Sequence, residues 1–133
     1  MDTNTVLLLV AVGLVVFFVL RPLIFGGPRV SATDAHARIQ AGTAVLIDVR
    51  EPGEWRSGVA APATLLPMSD FRGAQKQWSA FLRAQRDKEL ILYCATGMRS
   101  GMLAMTLRKQ GYRVANLGGF GAWSGSGLPV RKP

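Results

Sequence analysis

The chain contains a single cysteine, Cys94, directly after an apolar run of β-strand type at residues 90–93. A short loop then leads into a predicted helix over residues 100–110, which ends before Gly111. Ligands of open α/β sheets bind at the carboxyl ends of the strands, and a loop that enters a helix N-terminus directs several backbone N–H groups at one point. A thiol held there is expected to have a depressed pKa, which suits a nucleophile or a carrier of an anionic sulfur species.

The residues between the cysteine and the helix form the predicted substrate-binding segment. They are Ala95, Thr96, Gly97, Met98, Arg99 and Ser100. Arg99 is the only charged residue among them, so the backbone N–H groups are expected to do most of the anion binding. An isolated cysteine is more often a small buried apolar residue, and the strand–loop–helix context is what favours a reactive thiol here.

Alternating strand and helix patterns surround this loop. Residues 44–49 are a continuous apolar, β-branched run, as expected for a strand buried on both faces. The predicted strands are 44–49, 64–66, 90–93 and 112–117, and the predicted helices are 31–40, 73–84, 100–110 and a short one around Ala122. Strands separated by helices predict an α/β fold with a parallel sheet flanked by helices.

The length of 133 residues points to one domain. A single Cys excludes an intramolecular disulfide framework, and one Cys with one His argues against a structural zinc site. We therefore predict no metal and no cofactor. The formal net charge is +8, from 16 Lys and Arg against 8 Asp and Glu, while 49% of the residues are hydrophobic.

Residues 1–28 hold a separate apolar segment. Val6 to Leu20 contains no polar side chain, and extension through Phe25 gives twenty residues, about 30 Å of helix, which matches the hydrocarbon core of a bilayer. Residues 1–28 are thus predicted to be a transmembrane anchor, with membrane contact over residues 6–25 and a Gly-Gly-Pro linker at 26–28. Residues 29–133 form the remaining domain.

Two other interpretations of this segment were weighed. A buried core helix would be interrupted by polar residues. A cleaved signal peptide would carry a basic N-terminal region and a small-x-small cleavage site, and the chain has neither. Positive charge flanks the run only on its C-terminal side, at Arg21 and Arg29, which places residues 29–133 in the cytoplasm and the anchor in the inner membrane.

The other basic residues are spread along the chain and are not clustered with aromatic residues, which argues against nucleic-acid binding. Near an anchor, such charge is more simply explained by attraction to anionic lipid. The sequence gives no prediction of oligomeric state.

Three segments resemble the rhodanese family of sulfurtransferases. Cys94-x-x-Gly97-x-Arg99-Ser100 is similar to the family's active-site loop. Residues 47–55 are similar to its Asp-Val-Arg segment, and residues 118–130 to its Gly-Gly…Trp…Gly-Leu-Pro-Val tail. The chain most resembles bacterial single-domain rhodaneses that are tethered by one N-terminal transmembrane helix.

This resemblance implies a three-layer rhodanese-like fold and a two-step sulfur transfer without cofactor. Cys94 would take sulfur from a small donor such as thiosulfate as a persulfide and pass it to cyanide, a thiol or a protein acceptor. It also implies supporting roles for Asp48 and Arg50, for which structural salt bridging is an equal alternative. Because only Arg99 adds positive charge at the loop, weak attraction for the thiosulfate dianion is expected.

The chain departs from the family pattern at two positions. Val59 and Leu65 stand where the family usually has His and Asn. Those family residues are expected to orient neighbouring loops, so the replacements affect the fine geometry of the site more than the fold.

Two rival functions stay open at this point. Cysteine phosphatases use Cys-x₅-Arg, whereas four residues separate Cys94 from Arg99, a tighter cradle that suits a single sulfur better than a phosphoryl group. The other rival is a membrane-tethered binding or regulatory module with little catalysis, which the changes at Val59 and Leu65 would fit.

The remaining conspicuous residues are assigned structural roles. His36 is expected at the surface or in helix packing, and Asp70 as a helix cap. The three tryptophans, Trp55, Trp78 and Trp123, are expected to pack in apolar surroundings.

Overall fold

The computed structural model describes residues 1–25 and 28–133, without the side chains of residues 22–25. The helices are α1 (Thr3–Phe25), α2 (Ala32–Gln40), α3 (Pro52–Trp55), α4 (Met68–Arg72), α5 (Lys76–Ala84), α6 (Met98–Lys109) and α7 (Phe120–Ser124). The strands are β1 (Ala44–Asp48), β2 (Val59–Ala60), β3 (Thr64–Leu65), β4 (Glu89–Cys94), β5 (Val114–Gly119) and β6 (Val130–Arg131).

Four strands form a parallel sheet in the order β3-β1-β4-β5. The predicted α/β fold with a parallel sheet flanked by helices is confirmed. A second sheet, in which β2 pairs antiparallel with β6, was not predicted, because two-residue strands are too short to show an alternating pattern.

Side chains alternate between the two faces of the sheet and build two cores. On one face, Leu90, Leu92 and Cys94 of β4 pack in a cluster with residues of α5 and α6. On the other face, Ile91 and Tyr93 pack in a cluster with residues of α2 and α7. Helices on both faces explain why the strands are apolar without interruption.

The region between β3 and β4 differs from the prediction. One helix was expected over residues 73–84, but α4 ends before Gly73 and α5 begins at Lys76. Gln75 between them has a φ of 55°, which no helix continues through. Asp70 accepts hydrogen bonds from the backbone N–H groups of Gln77 and Trp78, so its predicted role as a cap is confirmed, at the start of α5.

The other structural assignments are also found. Trp78 and Trp123 are fully buried, and the His36 ring packs edge-on against Trp123. Trp55 is half-buried. The last predicted strand begins two residues late, at Val114.

Helix α1 is 23 residues long, or about 34 Å, and its side chains from Thr3 to Leu20 are exposed. Residues Thr3–Arg21 are apolar enough, over sufficient length, to cross a bilayer. Of the predicted linker, Gly26 and Gly27 lie outside the described residues. Pro28 is described, and its carbonyl accepts a hydrogen bond from Asn116 of β5.

Candidate active site

Cys94 is the last residue of β4 and is fully buried. Gly97 ends the loop after it, with a φ of 94°, and α6 begins at Met98. A Cβ atom at position 97 would lie 3.0 Å from the Cα atom of Gly118, so this position needs glycine for both its dihedral and its close backbone approach. The loop thus turns tightly around the sulfur.

The sulfur atom accepts hydrogen bonds from the start of α6. The Gly97 backbone N–H lies 3.0 Å from Cys94 Sγ, and the Ser100 hydroxyl oxygen lies 3.4 Å from it. Burial raises the pKa of the Cys94 thiol. The Ser100 hydroxyl and the backbone N–H groups of Ser100, Thr96 and Gly97 lower it by more, so the pKa lies below that of an ordinary thiol. This arrangement favours the thiolate.

Arg99 does not stand free beside the loop. Its guanidinium makes a two-pronged ion pair with Glu54 of α3, with N–O distances of 2.7 and 2.8 Å. Hydrogen bonding from Arg99 lowers the pKa of Glu54 to about 2, and the Glu54 carboxylate raises the pKa of Arg99. The one cation of the loop is therefore largely neutralised by Glu54, which lies in the segment 47–55 that resembles the family but was not predicted to belong to the site.

Asp48 and Arg50 form a separate, buried ion pair. The Arg50 guanidinium donates to both carboxylate oxygens of Asp48 at 2.9–3.1 Å and to the carbonyl oxygen of Gly58 at 2.7 Å. It also lies over the ring of Phe120, 4.7 Å from the centroid. Within the described residues neither side chain is bonded to Cys94, so the pair fixes the chain between β1 and β2 and acts on the site only indirectly.

The two positions that depart from the family pattern lie in small strands. Val59 of β2 is fully buried and pairs with Arg131 of β6. Leu65 of β3 is half-buried and pairs with Asp48 of β1. Both are apolar residues in paired strands.

Asn116 is a site residue that the sequence reasoning missed. It is fully buried in β5, where its side chain bonds to Ser100, Gly97 and Gly118. A polar amide within the apolar strand 114–117 is the feature that could have revealed it, since buried amides need partners.

A cleft of about 810 Å³ lies beside the loop, between α1 and the start of α6. It is mostly apolar, with two arginines at its rim. The lining residues are Phe17, Phe18, Arg21, Arg29, Thr96, Gly97, Met98, Gly101, Met102 and Asn116. In the part of the chain that the structure describes, no group of three or more His, Cys, Asp or Glu side chains is placed to hold a metal ion.

In this chain a buried strand ends at a cysteine whose thiolate is favoured by the N-terminus of the next helix. This arrangement is that of an α/β protein with a reactive cysteine loop. Residues 31–126 match the rhodanese-like domain family, and the chain belongs to that family. It is 38% identical to the Bacillus subtilis protein YqhL over 101 residues, which are 73% of this chain and 75% of that protein. It is 35% identical to a sulfurtransferase of Allochromatium vinosum over 91 residues, covering 67% and 79% of the two chains.

Solved structures agree with this assignment. A rhodanese-related protein from Thermoplasma volcanium superposes with a TM-score of 0.67 at 29% identity, over 80% of this chain and 99% of that one. A Rhodopseudomonas palustris protein described as a possible tyrosine phosphatase gives a TM-score of 0.65 at 31% identity, over 78% and 84% of the chains. The fold is rhodanese-like, and the chain is a sulfurtransferase-like enzyme in general terms.

Proposed function

We propose that the chain is a membrane-anchored sulfurtransferase that moves sulfane sulfur through a persulfide on Cys94. The donor is thiosulfate or a related small sulfur compound, and the acceptor is cyanide, a thiol or a protein thiol. The observation that supports this most directly is the cysteine itself, with its sulfur 3.0 Å from the Gly97 N–H and its pKa lowered by the loop.

In the first step the Cys94 thiolate attacks the outer sulfur of thiosulfate. A new S–S bond forms while the S–S bond of thiosulfate breaks, and sulfite leaves with the electron pair. The resulting persulfide is anionic at neutral pH, and the loop N–H groups that face the sulfur are suited to stabilise it. In the second step the acceptor attacks the outer sulfur, and the Cys94 thiolate is restored as the leaving group.

The charge of the site bears on the choice of donor. Since Glu54 pairs with Arg99, the loop offers a dianion little net positive charge. We therefore propose that thiosulfate binds weakly and that the physiological donor carries less charge.

The same pairing bears on the phosphatase alternative, which the R. palustris relative raises. A phosphoryl group would bring more negative charge to the loop than a persulfide does, and here the charge of the loop arginine is largely neutralised by Glu54. Sulfur transfer is favoured because a persulfide needs only the N–H groups.

We further propose that α1 spans the inner membrane and that residues 29–133 lie on its cytoplasmic side. The helix has the length and composition to span a bilayer, and its flanking positive charges lie at Arg21 and Arg29. A fluorescent reporter that folds only in the cytoplasm, fused after Pro133, tests this orientation. Fluorescence in the membrane fraction supports it, and a dark membrane-bound fusion contradicts it.

Intact-mass analysis of the purified protein, with and without thiosulfate, tests the chemistry. The treated wild type should gain the mass of one sulfur atom, which cyanide then removes, while Cys94→Ala should gain none. A folded wild type that stays unmodified with thiosulfate and with organic persulfides would favour the binding-module alternative instead.

A further inference from the structure

The side chain of Asn116 is fully buried, and its oxygen and its nitrogen both have partners. The Oδ1 atom accepts from the Ser100 hydroxyl at 2.8 Å and from the Gly118 N–H at 3.0 Å. The Nδ2 atom donates to the carbonyl oxygen of Gly97 at 3.0 Å. Two of these three partners belong to residues that also donate to the sulfur of Cys94: the Ser100 hydroxyl itself, and Gly97 through its backbone N–H.

The strand pattern explains why Asn116 faces the cysteine. Val114 packs in the same core cluster as Cys94, whereas Ala115 and Leu117 pack in the opposite one. Alternation therefore directs residue 116 to the face of Cys94. The pairing of β4 with β5 shifts register just beyond Asn116, so a bulge lies beside it.

The Ser100 hydroxyl has one proton and two acceptors within reach. It lies 2.8 Å from Asn116 Oδ1 and 3.4 Å from Cys94 Sγ, and it can donate to only one of them at a time. The protonation state of the sulfur decides which acceptor receives the proton.

We propose that Asn116 is a positioning residue for the Cys94 nucleophile. Its Nδ2 atom anchors the carbonyl oxygen of Gly97, the residue whose N–H faces the sulfur, and its Oδ1 atom is the alternative acceptor that lets the Ser100 hydroxyl turn. The catalytic benefit of this arrangement rests on the proposed sulfur transfer. The hydrogen bonds themselves do not depend on that proposal.

Each protonation state then has a complete set of hydrogen bonds. In the thiol form, the Cys94 S–H donates to the Ser100 oxygen, and the Ser100 O–H donates to Asn116 Oδ1. When the thiol proton leaves to solvent, the Ser100 O–H turns to the sulfur, and Oδ1 keeps its bond from the Gly118 N–H. No buried polar atom is left unpaired in either state, so deprotonation carries no desolvation penalty at the amide.

Other charged and titratable groups surround this network. On the elements packed around it they are Arg21, Arg29, Asp48, Arg50, Glu54, Tyr93 and Arg99. Glu54 pairs with Arg99, Asp48 pairs with Arg50, and the Tyr93 side chain packs on the opposite face of the sheet. Asn116→Asp adds a negative charge, which by itself raises the pKa of a thiol, so the uncharged variant Ser100→Ala must also shift before the effect is assigned to the hydrogen bonds.

The test is a pH titration of the thiolate in the full-length protein in detergent. Because Cys94 is the only cysteine, ultraviolet thiolate absorbance and the iodoacetamide rate both report on it alone. Asn116→Asp keeps the shape but removes the donor to Gly97 and holds the Ser100 hydroxyl on a carboxylate. We expect the titration midpoint to rise by about one pH unit or more, roughly a tenfold loss of thiolate. A midpoint equal to that of the wild type would overturn the proposal.

Two further variants make the result specific. Leu117→Ala, in the neighbouring position on the opposite face, should lower the melting temperature but leave the midpoint unchanged. Ser100→Ala should raise the midpoint by less than Asn116→Asp does, because the Gly97 donor stays in place. If Asn116→Asp does not fold, Ser100→Ala tests the proposal instead. An unchanged midpoint in Ser100→Ala would contradict the proposed turning of the Ser100 hydroxyl toward the sulfur.

These readouts separate the inference from the proposed function. A midpoint shift in both Asn116→Asp and Ser100→Ala, with no sulfur transfer by the wild type, would support the positioning role and contradict the sulfurtransferase assignment. Sulfur transfer by the wild type with no midpoint shift in Asn116→Asp would do the reverse.

Discussion

At Cys94, burial and hydrogen bonding act on the thiol in opposite directions. Burial alone would keep the sulfur protonated and inert, as in most buried cysteines. The N–H groups at the start of α6 and the Ser100 hydroxyl reverse this outcome. The loop conformation therefore provides the groups that favour the thiolate, while Arg99, which also interacts with Cys94, has much of its charge neutralised by Glu54.

Replacement of Cys94, the proposed nucleophile, tests the mechanism directly. Cys94→Ser keeps the size and the hydrogen bonds of the side chain but not the thiolate. Thiocyanate formation from thiosulfate and cyanide should fall by on the order of 10³-fold or more, with an unchanged melting temperature. Wild-type turnover in this variant would contradict the mechanism.

Gly97→Ala tests the loop conformation. The left-handed φ of 94° costs an alanine about 1 kcal/mol, and the new Cβ would lie 3.0 Å from the Gly118 Cα. The loop must shift to relieve this contact, which moves the Gly97 N–H away from the sulfur. We expect kcat to fall at least tenfold, measured in the thiosulfate–cyanide assay.

Gly111→Ala is the matched control for this variant. Gly111 has almost the same φ, 95°, but a Cβ there meets nothing within 4 Å. It should lose about 1 kcal/mol of stability from the dihedral alone and keep wild-type kcat. Equal loss of kcat in both variants would show that general destabilisation, not loop geometry, governs turnover.

At the scale of elements, the apolar pattern of the sequence predicted the central strands of the sheet, because strands buried on both faces need apolar side chains on both faces. Strands β1 and β4 contain continuous apolar runs, β5 is apolar up to Leu117 except for Asn116, and Gly111 follows the helix after Cys94. The break between α4 and α5 was not predictable from apolar spacing, because it depends on a left-handed Gln75, a conformation that residues other than glycine rarely adopt. The contact between Glu54 and Arg99 was missed because the two residues are 45 positions apart, and no local pattern encodes such a contact.

The ion pair between α3 and α6 gives a prediction of pH dependence. Because the folded pKa of Glu54 is depressed to about 2, its stabilisation is complete above the unfolded pKa of about 4.3. It is lost as the pH falls from there toward 2. Both side chains are 34% exposed, so solvent screening limits the contribution to about 1 kcal/mol.

Glu54→Gln should therefore lower the free energy of unfolding by about that amount at pH 7, measured by chemical denaturation. The difference from the wild type should shrink below pH 4.3 and vanish near pH 2. Glu89→Gln, which breaks the longer pair that Arg38 makes through a single guanidinium nitrogen at 3.0 and 3.2 Å, serves as the control and should have a smaller effect at pH 7. A difference that does not depend on pH would contradict the ion-pair explanation.

At the scale of the whole molecule, apolar residues and charge are segregated. Residues 1–28 contain one Arg and one Asp, so the entire formal net charge of +8 belongs to residues 29–133. In the proposed membrane-anchored form, this basic domain would be attracted to an anionic membrane surface and held close to the bilayer. The short segment after the helix is also part of the fold: Pro28 and Val30 each make a backbone hydrogen bond to Asn116.

This attachment yields a prediction about where the helix can be removed. A chain beginning at Pro28 loses α1 but keeps both backbone bonds to Asn116, and it should be soluble, folded and as active as the full-length protein. A chain beginning at Ser31 loses both bonds, and with them part of the support of the residue that bonds to Ser100 and Gly97. It should be less stable by about 1–2 kcal/mol, from two lost hydrogen bonds, and should have a lower kcat.

Denaturation curves and thiosulfate–cyanide turnover of the two chains, purified without detergent, check this. Equal stability and kcat would show that residues 28–30 are only a tether, whereas a difference would show that the strand contact supports the cysteine loop.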